Sequence, residues 1–225
     1  MRIEEAQIIS AHLCDFNQLD VTSRRILNIG SSTKEFREIH QPHIQSMLIE
    51  PCEEVGFSFV HHDIKEGNGI HVYGDLLDSS TLKKLIEVNA DIVMACNILE
   101  HIPQDRFDAF VSALDSIVRP GACLAISVPY SYPLHLDPID SYFRPSPDEL
   151  ALMFSSYETL VSEVIVGSTY AREFFNLPFR DKLKTFIRVC MPFYEFHTWK
   201  CVAHRFAWTF SPFKVTFVLL QKKVA

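Results

Sequence analysis

Three groups of residues have types and spacings that could do chemistry. The first is RRILNIGSST (24–33), an apolar run that stops on glycine and hydroxyl residues. Gly30 marks the stop, where a side chain would block the approach of a ligand to the backbone. Ser31, Ser32 and Thr33 offer backbone N–H and hydroxyl donors to a carboxylate, as helix N-termini do. The second group is acidic: FSFVHHDI (57–64) ends near Asp63, and IHVYGDLLD (70–78) ends near Asp75. The third is NILEHIP (97–103) with YPLHLDPID (132–140) downstream. His101 is the first candidate general base and His135 the second; a base helps when the acceptor is a hydroxyl or amine that must lose a proton. Glu100, His101, His135, Asp137 and Asp140 could also converge on a cation, and carboxylate with imidazole suits zinc, manganese or iron. His61 and His62 are neighbours on one strand and so face opposite sides, one packed and one near a cleft.

These residues need a scaffold that places them at one end of a sheet. Residues 3–19 read as a leading helix, with Ile8, Ile9, Leu13 and Phe16 near helical spacing. Strands are expected at 25–30, 57–64, 70–75, 90–99 and 122–129, and two late ones at 160–167 and 214–222. ADIVMACNIL reads as a strand buried on both faces. Residues 33–56 look helical in pieces broken by Pro42 and Pro51. Helices are expected at 79–89, capped by Ser79 or Ser80, at 104–118, and from 146, capped by Ser146 with Pro147 at its first position. Such alternation predicts a doubly wound α/β domain with a mostly parallel sheet. In such sheets ligands sit beyond the carboxyl ends of the strands, at the switch point.

Four segments carry a resemblance, in matching order over roughly residues 24–165. ILNIGSST resembles the glycine-rich first motif of class I S-adenosylmethionine-dependent methyltransferases, and NILEHIP the end of their fourth strand. RPGACLAISVP is similar to their turn and fifth strand, and DPIDSYFRPSPDEL to the arm that follows in the small-molecule and glycan-modifying branch. The resemblance implies a Rossmann-like sheet of seven strands with the last antiparallel. It implies S-adenosylmethionine as cofactor, with residues 24–165 as the cofactor-binding core of a single domain spanning 1–225. Asp63 then stands where an acid accepts the ribose hydroxyls. Asp75, with Leu76 beside it, stands where the family contacts adenine, and Asn97 lies beneath the methionyl part. Asn28 replaces a usual acid, and Ser32 and Lys34 replace usual glycines. A lysine about 6 Å from the sulfonium would cost about 3 kcal/mol, so Lys34 should point to solvent or pair with the cofactor carboxylate. Methyltransferases that hold a metal at this place carry Glu-x-x-Glu-His; Asn97 stands for the first Glu, so no metal is expected. The activity implied is methyl transfer to a small molecule or glycan. A non-catalytic binding domain is the alternative, and an oxidoreductase is disfavoured because no G-x-G-x-x-G is present.

Composition bounds the partners. The chain has 225 residues and a net charge of −7, which argues against a general nucleic-acid binder. No secretory signal, membrane span or C-x-x-C pair is readable, so the six cysteines read as reduced and buried in a cytoplasmic protein. The charge is uneven. Residues 1–171 carry eleven Lys/Arg against twenty-five Asp/Glu, while residues 172–225 carry ten against three and hold ten of the eighteen phenylalanines. Two amphipathic helices are expected there: Leu183, Phe186, Ile187, Cys190 and Met191 form one apolar face, and Phe196, Trp199, Val202, Ala203, Phe206 and Phe210 the other. This helical insertion (172–212), placed before the last strand, should pack on the core as a lid, with contact to a membrane surface or an anionic lipid through 180–212 as the second expectation.

Overall fold

The computed structural model describes residues 1–15, 23–135, 139–191, 193 and 196–224. The chain opens with α1 (Ile3–Asp15), which buries Ala6, Ile9 and Leu13 but also Glu5 and Ser10. Phe16 lies outside the described residues. Strand β1 (Arg25–Ile29) follows. A helical run comes next, as a π turn over Phe36–His40, α2 (Pro42–Ile44), a second π turn over Gln45–Ile49, and α3 (Glu50–Glu54). Pro42 and Pro51 each sit in the first turn of an α segment, where the missing N–H is harmless, so they start pieces rather than break them.

Next come β2 (Ser58–Asp63), β3 (Val72–Tyr73), α4 (Ser79–Glu87), β4 (Ile92–Cys96), α5 (Phe107–Ile117) and β5 (Cys123–Ser131). The cap of α4 is Asp78, not Ser79 or Ser80: its carboxylate accepts the Thr81 N–H at 3.0 Å. An Asp one residue upstream outcompetes a serine, because an anion also suits the helix N-terminus. Helix α6 (Pro147–Leu152) starts on the expected Ser146, which forms a capping box with Glu149. The long strands β6 (Tyr157–Thr169) and β7 (Pro212–Lys222) enclose α7 (Tyr170–Asn176), α8 (Phe179–Cys190) and α9 (Phe196–Arg205).

All seven strands form one sheet in the order β3-β2-β1-β4-β5-β7-β6. It is parallel except that β7 runs antiparallel to both β5 and β6. The core has two layers. One face is covered by α1 and the helical run through Cys52, the other by α4, α5 and α6. Connections from β1 leave toward β2 on one side and the chain returns as β4 on the other, so the switch point lies between β1 and β4.

Among the described side chains, which exclude that of Cys201, one cysteine departs from the buried expectation by being exposed. Cys52 and Cys123 are buried, Cys14 and Cys96 half-buried, all free, but Cys190 is exposed because it sits on the outward stripe of α8. No helix among the described residues is long and apolar enough to cross a membrane.

Candidate functional site

A cleft of about 1370 Å³ opens at the carboxyl ends of the strands. Asn28, Gly30, Ser31, Ser32, Asp63, Asp75, Leu76, Asn97, His101 and His135 all line it. Sequence separation of more than a hundred residues is thus closed by the sheet alone.

The turn after β1 is held in an unusual conformation. Gly30 has φ +68°, and a Cβ there would lie 2.7 Å from the Ile98 side chain. Glycine is therefore required by its neighbour and its backbone before any ligand arrives. Ser32 also has positive φ (+56°), as does Asn97 (+54°) at the end of β4. Two non-glycine residues in the left-handed region, facing one cleft, are stored strain of the kind that clusters at binding sites. Ser32 thus holds a backbone conformation that favours glycine.

Three groups hold this turn. The Asp63 carboxylate accepts the Ser32 N–H at 2.9 Å, and the Ser31 N–H donates to the His62 carbonyl at 2.9 Å. The buried Arg37 guanidinium donates to the Ser31, Ser32 and Gly69 carbonyls. Burial lowers the Arg37 pKa, against the raising influence of Glu38 and Asp63. Lys34 points to solvent and sits 3.6 Å from Glu38, so it brings no charge toward the cleft.

Deeper in, Asn28 is buried with its amide 3.5 Å from His61 Nδ1. His61 lies between the Phe59 and His71 rings, and burial, reinforced by Arg37 and His71, lowers its pKa to about 3. His62 is buried too, lines the cleft and bonds the Gly74 carbonyl at 3.0 Å. Asp75 pairs with Arg106 at 2.6 Å. Burial pushes its carboxyl up, but the Arg106 guanidinium and the Leu77 N–H outweigh this and hold it low. Asn97 donates to Glu5 at 2.7 Å, and Ser127 donates to the same carboxyl oxygen at 2.6 Å. Glu5 comes from α1, which the sequence suggested only as packing. Cys96 beside it has its thiol pushed up to about 12, first by burial and then by Glu5.

Behind His101 and His135, which line the cleft, Glu100 is fully buried, and neither carboxyl oxygen has a hydrogen-bond partner. His101 Nε2 lies 3.7 Å from Glu100 Oε1, and His135 Nε2 lies 3.8 Å from it. His101 Nδ1 contacts the Ile139 carbonyl at 2.6 Å and His135 Nδ1 the Pro133 carbonyl at 3.4 Å. A carbonyl only accepts, so each Nδ1 donates outward, His135 Nδ1 also lying 3.4 Å from Asp140 Oδ2, and each Nε2 is the ring nitrogen turned toward Glu100. One ligand atom from each of Glu100, His101 and His135 lies within 4.8 Å of the others. Three electron-pair donors face one point with their outer nitrogens already anchored, an arrangement that fits a divalent cation. Asp140 is not among them. It accepts from Arg144 at 2.6 Å and from the Tyr142 and His135 N–H groups, which hold its carboxyl low against the upward push of burial. Asp137 lies outside the described residues.

The insertion makes the rim. Arg172, Glu173 and Asn176 of α7 and Arg205 of α9 line the cleft. Arg2 pairs with Glu173, donates to Ser168 at 2.8 Å and stacks on Phe213 at 4.2 Å, tying α1 to α7. His204 Nδ1 accepts the Leu134 N–H at 2.9 Å, so α9 braces the loop that carries His135. Trp199 donates to the Val189 carbonyl at 2.9 Å. The apolar face of α8 does not pack on the core: the helix has no buried residue. Phe210, on the second expected face, is 90% exposed, and the side chains of Phe196 and Val202 lie outside the described ones.

No family model matches the sequence, and no curated protein matches it. Solved structures do. An S-adenosylmethionine-dependent methyltransferase from Archaeoglobus fulgidus is 17% identical, with 97% of this chain and 94% of that one covered and a TM-score of 0.51. Coclaurine N-methyltransferase, bound to N-methylheliamine and SAH, is 11% identical over 97% and 71% of the chains, TM-score 0.52. The [4+2]-cyclase SpnF is 12% identical over 97% and 81%, also at 0.52. At such identities the likeness is one of fold, and a cyclase among the neighbours shows that the fold hosts more than one chemistry.

Proposed function

We propose that this chain is an S-adenosylmethionine-dependent methyltransferase acting on a small-molecule or glycan acceptor. The observation that carries the reading is the cleft at the β1–β4 switch point, where the strained Gly30–Ser32 turn is anchored by Asp63. In this reading the turn and Arg37 shape the seat for the methionyl end. Asp63 accepts from the ribose, Asp75 and Leu76 border the adenine, and Asn97, fixed by Glu5, positions the sulfonium side. Methyl transfer is an in-line displacement, so the protein's work is alignment and exclusion of water. Without a cation, His101 or His135 takes the proton that the acceptor loses; with one, both imidazoles would be ligands and not bases. A divalent cation on Glu100, His101 and His135 would lower the pKa of an acceptor hydroxyl bound to it.

Thermal unfolding with and without S-adenosylmethionine and S-adenosylhomocysteine tests the reading. A ligand at a hundred times its dissociation constant adds about 2.7 kcal/mol, which raises the midpoint by about 5–10 °C for a domain of this size. No shift with either ligand overturns it.

A further inference from the structure

We propose that α8 lies in the surface of an anionic membrane and makes this a peripheral membrane protein. The helix is mounted inside out. Phe179, Leu183, Phe186, Ile187 and Cys190 recur at helical spacing and form one stripe, and Phe179 and Phe186 are 80% and 64% exposed. The better-covered residues are Asp181, Lys182, Thr185 and Val189, on the side where α9 packs and Trp199 bonds the Val189 carbonyl. The polar side of α8 therefore faces the protein and its apolar stripe faces outward. Cations border that stripe on its open side, Arg180, Arg188 and Lys184, the last paired with Asp181 at 3.1 Å. Twelve residues are too short to span a bilayer but suit an in-plane helix.

Charge selects the occupant. The insertion, residues 172–212, carries seven Lys/Arg against three Asp/Glu, a net of +4 on a remainder of −11. A second copy packed stripe to stripe would set two such basic segments against each other. An anionic leaflet instead offers an apolar layer bordered by negative headgroups, matching the stripe and its cations together. The same insertion supplies Arg172, Glu173, Asn176 and Arg205 to the cleft rim, so seating α8 on a bilayer brings the cleft mouth near the leaflet.

The test is sedimentation of the full chain with phosphatidylcholine vesicles, with and without phosphatidylglycerol. Each cation near an anionic leaflet multiplies partitioning about fivefold. Binding should therefore favour the anionic vesicles at least tenfold and weaken with salt, and Arg180→Gln should reduce it about fivefold. Phe179→Glu with Phe186→Glu should abolish it while the unfolding midpoint stays within about 2 °C of the parent. The proposal is overturned by absence of binding, by equal binding to both vesicles, or by a large midpoint drop in the double-Glu variant, which would mean the stripe is packed. A dimer broken by that same variant, with no vesicle binding, would name a second copy as the occupant instead. The assay reads no methyl transfer, so its result stands apart from the reading of the cleft.

Discussion

Replacing Glu100 by Gln should reverse its effect on stability according to whether a divalent metal is present. The Glu100 carboxyl is fully buried, its oxygens have no hydrogen-bond partner, and its nearest imidazole nitrogens stand 3.7 and 3.8 Å away. A buried polar group left unpaired costs about 1–3 kcal/mol. Gln carries no ionisable group and avoids the cost of an unpaired buried carboxylate, so in chelator Glu100→Gln should stabilise by about 2 kcal/mol, or about 4–8 °C. Zinc, manganese or cobalt at a hundred times its dissociation constant should raise the parent by about 2.7 kcal/mol, or about 5–10 °C, and the variant far less. The two melting curves then exchange order, or at least converge, between chelator and metal. The assay is differential scanning fluorimetry, with metal content of the dialysed protein as a second readout. A variant less stable than the parent in chelator, with neither responding to metal, would refute the reasoning and make Glu100 an ordinary structural residue.

Other outcomes follow from the same geometry. Gly30→Val forces a β-branched residue to φ +68° against Ile98; it should cost at least about 2 kcal/mol in the unfolding midpoint and abolish the shift caused by S-adenosylmethionine. Asp63→Ala releases the Ser32 N–H and should weaken cofactor affinity measured by calorimetry; unchanged affinity would remove Asp63 from the site. His101→Ala should lower turnover more than cofactor affinity, and equal loss of both would give the imidazole a purely structural role. Acid should destabilise the fold early. His61 is neutral when folded, with a pKa of about 3, but titrates near 6.5 when unfolded. The unfolded chain therefore binds the extra proton, and the contribution present above pH 6.5 is lost as pH falls toward 3, at up to about 1.4 kcal/mol per pH unit. His61→Phe keeps the stack with Phe59 and should flatten the slope of midpoint against pH in that window.

Strands were legible because a strand buried on both faces reads as an unbroken apolar run; ADIVMACNIL became β4 in the middle of the sheet. The ten residues proposed for the site share one cleft because each lies near or beyond the carboxyl end of a strand, and a parallel sheet gathers those ends on one side. Glu5 and Arg37 were not legible. An acid in the first turn of a helix ordinarily answers the helix dipole, and an arginine in a broken helix ordinarily faces water; only the long-range packing of α1 and of the Phe36–His40 turn points these two inward. The outward stripe of α8 escaped for a related reason, since periodicity identifies an apolar face and says nothing about which way it turns. Lys34 looked awkward in the sequence and is harmless in space, because its side chain leaves the turn toward Glu38.

Thr169 and Pro212 are cross-strand partners at the mouth of the β6–β7 ladder. The three helices between them thus leave the sheet and rejoin it at a single rung. Such an insert behaves as a cassette: residues 170–211 can be cut out and the hairpin closed with a short Asn-Gly turn without altering the order of any strand. Loop-closure entropy rises only slowly with length, so closing the hairpin around the insert costs the sheet little; what excision removes is the set of contacts from Arg2 to Glu173, Leu134 to His204 and Trp208 to Ser131. The rim of the cleft and the outward-facing stripe can accordingly change together, as one exchangeable piece, while the edge that gathers Gly30, Asp63 and Asn97 stays as it is.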